Sequence, residues 1–152
     1  MTEPRQEALI ARRVGVVALG LHAHASYLQA QGTPTSLADL AHHRLIGFDQ
    51  ETPFIRAARK VLPPWRREGF ALRSDSDLAQ LALIRAGGGI GICQVALARR
   101  STPALVHVLP QQFVYGLETW VVMHEDLRAS PRCKVTLDAL WTGLQRYVAD
   151  VE

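Results

Sequence analysis

Apolar and polar positions are patterned most distinctly in residues 70–94, FALRSDSDLAQLALIRAGGGIGICQ. The apolar run 70–72 predicts a short buried strand, and the polar turn Ser74-Asp75-Ser76 follows it. Asp77 at a helix N-cap, with Gln80 three residues later, has the spacing of a capping box. From 78 to 86 only Gln80 and Arg85 interrupt the apolar surface, which predicts a helix buried on most sides. Gly87-Gly88-Gly89 ends it, because glycine takes left-handed backbone angles without a Cβ penalty. Residues 90–94 then predict a second buried strand. The whole stretch is one βαβ crossover.

Upstream, residues 7–21 hold two apolar stretches, ALI and VGVVALGL, separated by Arg12-Arg13. The second predicts a strand whose end reaches His22. A short helix over 25–31 is closed by Gly32 and a Thr33-Pro34 turn, and Ser36 caps the next segment with Asp39 as its capping acid. Residues 44–49 predict a strand. Thr52 before Pro53 marks an N-cap and first helical position for a helix over 53–62, stopped by Pro63-Pro64. Downstream come a short helix over 95–100, strands over 105–109 and 117–123, and a loop at HEDLRASP. A closing helix starts at Ser130-Pro131, with Cys133, Leu137, Leu140, Leu144, Tyr147 and Val151 as its apolar stripe. Strands alternating with helices predict an α/β fold with a largely parallel sheet.

The turn at 74–76 is the candidate site. A helix N-terminus carries unpaired N–H groups and partial positive charge, and here it stands at the carboxyl end of a strand, where open α/β sheets bind ligands. The second strand brings Gln94, an amide, to the same edge. The plainer alternative is that Ser74, Asp75 and Ser76 only cap the helix. The three glycines follow a helix and precede a strand, the reverse of a phosphate loop, and GxGxxG is absent.

Composition narrows the class. Of 152 residues 48% are hydrophobic and 20% charged, with a net charge of +3, an ordinary balance for one globular core or two small lobes. The basic residues are scattered in pairs, which argues against direct nucleic-acid contact. Two cysteines without CxxC spacing fit a reducing, cytoplasmic setting, and no run suits a signal peptide or membrane span. Cys93 reads as a small core residue, His42, His43 and His107 as surface, and the three tryptophans as core or lobe boundary. His124-Glu125-Asp126 reads as a solvated loop, since adjacent residues rarely converge on one substrate atom. No nucleophile-base set, paired carboxylates or metal-ligand spacing is found, so neither enzyme, cofactor nor metal is expected.

The segment VVALGLHAHASYLQAQGTPTSLADLAHHRLIGFD resembles the middle of the effector-binding module of LysR-type transcriptional regulators. RAGGGIGICQ is similar to that family's glycine-turn strand, and LVHVLP to the strand after it. WVVMHEDLRASPRCKVTLDAL resembles its return strand and closing helix. The resemblance spans about residues 4–148, although Gln94 stands where the family strand usually ends in proline. It implies a periplasmic-binding-protein-like (type 2) two-lobed fold with the second lobe nearly complete and the first partial. Residues 1–21 would be first-lobe remnant and crossover strand, 22–123 the second lobe, and 124–152 the return to the first lobe and closing helix.

By the same resemblance the chain would be a ligand-sensing domain, binding a small effector between lobes to modulate DNA binding by a helix-turn-helix absent from it. A carboxylate effector is the natural guess at a helix N-terminus. Ser74 or Ser76 would face it, Gln94 and His24 (or His22) would complete the polar wall, and Asp75 would serve the helix. Incomplete cover of residues 14–21, 120–123 and the closing helix implies a homo-oligomer. The alternatives are a transporter's solute-binding protein and a small α/β enzyme.

Overall fold

The apolar stretches either side of Arg12-Arg13 form a single strand, β1 (Leu9–Ala23). The arginines do not break it because each is carried outward to a partner: Arg12 to Asp138 at 2.7 Å and Arg13 to Glu118 at 2.8 Å. The computed structural model describes residues 9–149. Within them, residues 9–18 and 116–149 make one unit, and Leu19–Tyr115 make a second. No helix among the described residues is long and apolar enough to cross a membrane.

In the Leu19–Tyr115 unit, β1 leads into α1 (Ala25–Gln31). A 3-10 turn at Ala38–His42 follows, held by the reciprocal Ser36 and Asp39 bonds that the sequence predicts. β2 (Leu45–Gly47) is next, then α2 (Pro53–Arg59), whose Thr52 cap accepts from the Ile55 N–H. β3 (Phe70–Arg73), α3 (Asp77–Arg85) and β4 (Ile90–Gln94) form the predicted crossover, with β2 lying between its two strands. α4 (Val95–Arg99) and β5 (Val106–Val108) complete the unit. The sheet runs β3-β2-β4-β1-β5, with β6 (Tyr115–His124) also paired to β1. β2 is parallel to β3 and β4, whereas β1 is antiparallel to β4 and β5. The sheet is therefore mixed rather than largely parallel. β1 runs against the strands on both of its sides.

Side-chain alternation sorts the core onto the two faces of this sheet. Leu45 joins Leu21, Leu28, Trp65, Phe70 and Phe113 on one side, and its neighbour Ile46 joins Ile84, Ala98 and Leu105 on the other. All three residues of β2 are buried, as a central parallel strand covered on both faces must be.

α3 departs from its expected burial. Leu78 is 78% exposed, and only Gln80 and Ile84 are buried. The buried polar residue explains the orientation, because the Gln80 amide donates to the Ser74 carbonyl at 2.7 Å and pins that face inward. The cap also shifts by one residue. Ser76, not Asp77, is the N-cap, and its hydroxyl accepts from the Ala79 N–H at 3.3 Å. The helix ends as predicted at Gly87, whose φ is +73°, with the Gly88 N–H bonded back to the Leu83 carbonyl.

In the other unit, α5 (Pro131–Ala149) has no fully buried residue. Trp141 takes the central place in its inner stripe that the pattern gave to Leu140, which is 52% exposed. The Trp141 indole donates to the Arg13 carbonyl at 2.9 Å, and the Arg12 guanidinium lies 3.6 Å from its ring centroid. Val151 lies outside the described residues.

Two glycines should respond oppositely to alanine. Gly87 sits at positive φ, and an added Cβ would also come within 3.3 Å of the Ser26 hydroxyl, so Gly87→Ala should cost about 1–2 kcal/mol. Gly143 is inside α5 with no atom within 4 Å of an added Cβ, so Gly143→Ala should stabilise by roughly 0.5–1 kcal/mol. Urea unfolding of both variants checks the pair.

Candidate functional site

The carboxyl ends of β3, β2 and β4 form one edge of the Leu19–Tyr115 unit. Arg73 is in register with Gly47, and the Ser74 N–H donates to the Gly47 carbonyl at 2.9 Å, so the 74–76 turn begins beside the end of β2. Ile46 is in register with Gly91. β4 continues three residues past this pair to Gln94, toward the same end of the parallel strands. Ser74, Asp75, Ser76 and Gln94 thus lie along one edge, with the Asp49-Gln50 loop among them.

Asp75 stands at this edge with its carboxylate already engaged. Its carboxylate turns to the neighbouring loop and accepts the backbone N–H groups of Asp49 (3.0 Å) and Gln50 (2.9 Å). It does not serve the helix. The Asp49 carboxylate in turn meets Arg67 at 2.9 Å and Arg73 at 3.5 Å. The two serines are arranged differently: the Ser74 hydroxyl accepts from the Ser76 N–H, and the Ser76 hydroxyl accepts from the Ala79 N–H. An accepting hydroxyl keeps its own O–H as a donor. Gln94, half-buried, is the N-cap residue of α4. The Asp49-Gln50 loop and its arginines were not singled out from sequence, because only the folded register places them beside residue 75.

The two histidines do not join this edge. Gln94 pairs with Leu19 of the antiparallel β1, and His24 lies five residues further along, about 16 Å away at ~3.3 Å per residue. His24 instead caps α1, its Nδ1 accepting from the Ser26 N–H at 3.2 Å. His22 is inside the protein at 1% exposure. Its Nδ1–H donates to the Gly20 carbonyl at 2.9 Å, and its ring stacks on His107, its cross-strand partner, with centroids 4.6 Å apart. A Cβ on Gly20 would overlap the His107 ring, so glycine makes room for the pair. His107 is therefore half-buried rather than a surface residue.

Cys93 completes this cluster, its Sγ 3.4 Å from His22 Nδ1. Burial pushes its thiol up to about 12, which keeps it protonated and poorly nucleophilic. Burial, with repulsion from His107, lowers His22 from 6.5 to about 4, while the Gly20 hydrogen bond opposes the shift. His107 is also lowered, by burial and by Arg99. Among the described residues no group of three or more His, Cys, Asp or Glu side chains could hold a metal ion.

The chain belongs to the LysR substrate-binding-domain family, whose model matches residues 1–145. Its fold is the periplasmic-binding-protein-like type 2 fold of LysR regulatory domains. The regulatory domain of CrgA from Neisseria meningitidis, a LysR-type transcriptional regulator, is 23% identical with a TM-score of 0.75. The match covers 94% of this chain and 72% of that one. The regulatory domain of AphB from Vibrio vulnificus is 19% identical with a TM-score of 0.63, covering 87% and 69%. The AmpR effector-binding domain from Citrobacter freundii is 16% identical with a TM-score of 0.61, covering 93% and 70%. Against full-length CrgA the chain spans 50% of the length. No curated protein matches it.

Burial of His22 in its neutral form makes stability depend on acid. Between 6.5 and about 4 the unfolded chain binds the proton and the folded chain does not, so stability falls as pH drops through that window and levels off below it. The full loss from this residue is on the order of 3 kcal/mol. Urea titrations at several pH values should show this slope in the wild type and a much shallower one in His22→Phe.

Proposed function

We propose that this chain is the effector-sensing module of a LysR-type regulator, taking a small carboxylate at the carboxyl edge of the Leu19–Tyr115 unit. The observation that carries this reading is the division of labour in the 74–76 turn. Asp75 is bound to the Asp49 and Gln50 N–H groups, which leaves the Ser74 and Ser76 O–H groups beside the start of α3 as donors. Gln94 at the carboxyl end of β4 adds an amide. The Leu19–Tyr115 unit acts as the lobe bearing the effector edge. The effector acts by population shift, stabilising whichever arrangement of the regulator binds it better.

DNA is contacted by a helix-turn-helix outside this chain, the protein works in the cytoplasm, and the module performs no reaction of its own. Losing one neutral hydrogen bond to the effector should cost about 0.5–1.5 kcal/mol, a few-fold to roughly tenfold in affinity. Ser76→Ala and Gln94→Ala should each weaken carboxylate binding by that amount in calorimetric titration. Ser76→Ala should also lose about 1 kcal/mol of stability as a cap. Unchanged affinity in both variants, with a carboxylate demonstrably bound, would leave the turn as a helix cap only.

The regulator is a homo-oligomer in this reading. α5 offers an apolar stripe with Val135 68% and Leu140 52% exposed, around a shallow groove floored by Ala139 and Gly143. Contiguous exposed apolar surface of this kind favours association. Sedimentation across a wide concentration range should show a dimer or larger species that weakens in Leu140→Glu. A monodisperse wild-type monomer at every concentration would contradict it.

A further inference from the structure

A concavity lies toward the opposite edge of the same unit, at the other end of α3 from the 74–76 turn. Its volume is about 320 Å³, and it is lined by His24, Ala82, Arg85, Ala86, Thr102 and Pro103. The geometry points to a second binding site there, for a small carboxylate with a compact apolar body. It lies outside the edge assigned above and does not depend on that assignment.

The polar groups around this cavity are donors or can act as donors. The Arg85 side chain makes no ion pair or hydrogen bond among the described residues, so its guanidinium is a planar fork able to hold a carboxylate through two N–H groups. His24 Nδ1 accepts from the Ser26 N–H and sits 2.7 Å from the Ser26 hydroxyl, which leaves the proton of the neutral ring on Nε2 as a donor. Thr102 adds a hydroxyl. No acidic side chain lines the cavity.

A helix C-terminus ordinarily disfavours an anion, and Ala82, Arg85 and Ala86 belong to the end of α3. Here three of the carbonyls near that end are already engaged. Ala82 accepts from Ala86, Leu83 from Gly88 and Ile84 from Gly87, at 2.9, 2.9 and 3.0 Å. The turn that ends α3 therefore also reduces the repulsion those three oxygens would exert.

The apolar part of the wall chooses the ligand class. Ala82, Ala86 and Pro103 give methyl and ring surfaces that favour a carbon skeleton over a bare, fully hydrated anion. The volume is at the lower end of the ~300–1,000 Å³ typical of ligand pockets, which suits a body of about one ring.

The experiment is a nuclear magnetic resonance titration of the whole chain with benzoate, benzamide and inorganic phosphate at constant ionic strength. Benzoate should give saturable shifts at Ala82, Ala86 and Thr102. Its affinity should fall at least about tenfold in Arg85→Gln, the effect of losing a charge-assisted bond. Thr102→Val should weaken it a few-fold, and it serves as the test variant if Arg85→Gln is not folded. Benzamide and phosphate should both bind more weakly than benzoate. The site is refuted by wild-type affinity in Arg85→Gln, by phosphate binding as tightly as benzoate, or by no saturable shift. Shifts confined to Ser74, Ser76 and Gln94 would also refute it while favouring the carboxyl edge.

Discussion

The carboxylate of Asp75, held by the Asp49 and Gln50 N–H groups, is the contact on which the candidate site depends. Two backbone donors on one carboxylate are charge-assisted hydrogen bonds, stronger than neutral ones. They fix the loop after β2 against the turn after β3, although those segments are about 25 residues apart in sequence. They also give the negative charge at this edge a local partner. The carboxylate is thereby turned to the loop after β2. Gln80 does the matching work from inside, tying the Ser74 carbonyl to the buried face of the helix.

A second constraint runs through the middle of the sheet. His22 is buried against His107 and Cys93 in a strand that is otherwise apolar on its inner positions. Such a group is tolerated because its Nδ1–H has the Gly20 carbonyl and because it stays neutral. The cluster packs across β1, whose backbone ladders hold it between β4 and β5.

Much of the local architecture was legible in the sequence, because it rests on short-range rules. α1 and β4 fall on their predicted spans, and the Thr52 cap, the Ser36–Asp39 reciprocal cap and the Gly87 stop are where their residue types indicate. Errors arose where tertiary partners override local pattern. Arg12-Arg13 look like a strand break until Asp138 and Glu118 are brought opposite them. Leu78 reads as core, yet Gln80 decides which face of α3 is inward. In the site, the serine turn and Gln94 were visible because the βαβ pattern carries them to one edge. His24 stands apart from this edge, because the antiparallel β1 runs on five residues past its pairing with Gln94 before reaching it, a distance no residue pattern displays.

Amide hydrogen exchange at Asp49 and Gln50 tests the central contact without any ligand. If the Asp75 carboxylate holds both N–H groups, they are protected in the wild type, and Asp75→Ala speeds both while the β2 core amides stay slow. If both amides exchange as freely in the wild type as in Asp75→Ala, the carboxylate is not engaged there, and its charge stands against an anion at this edge.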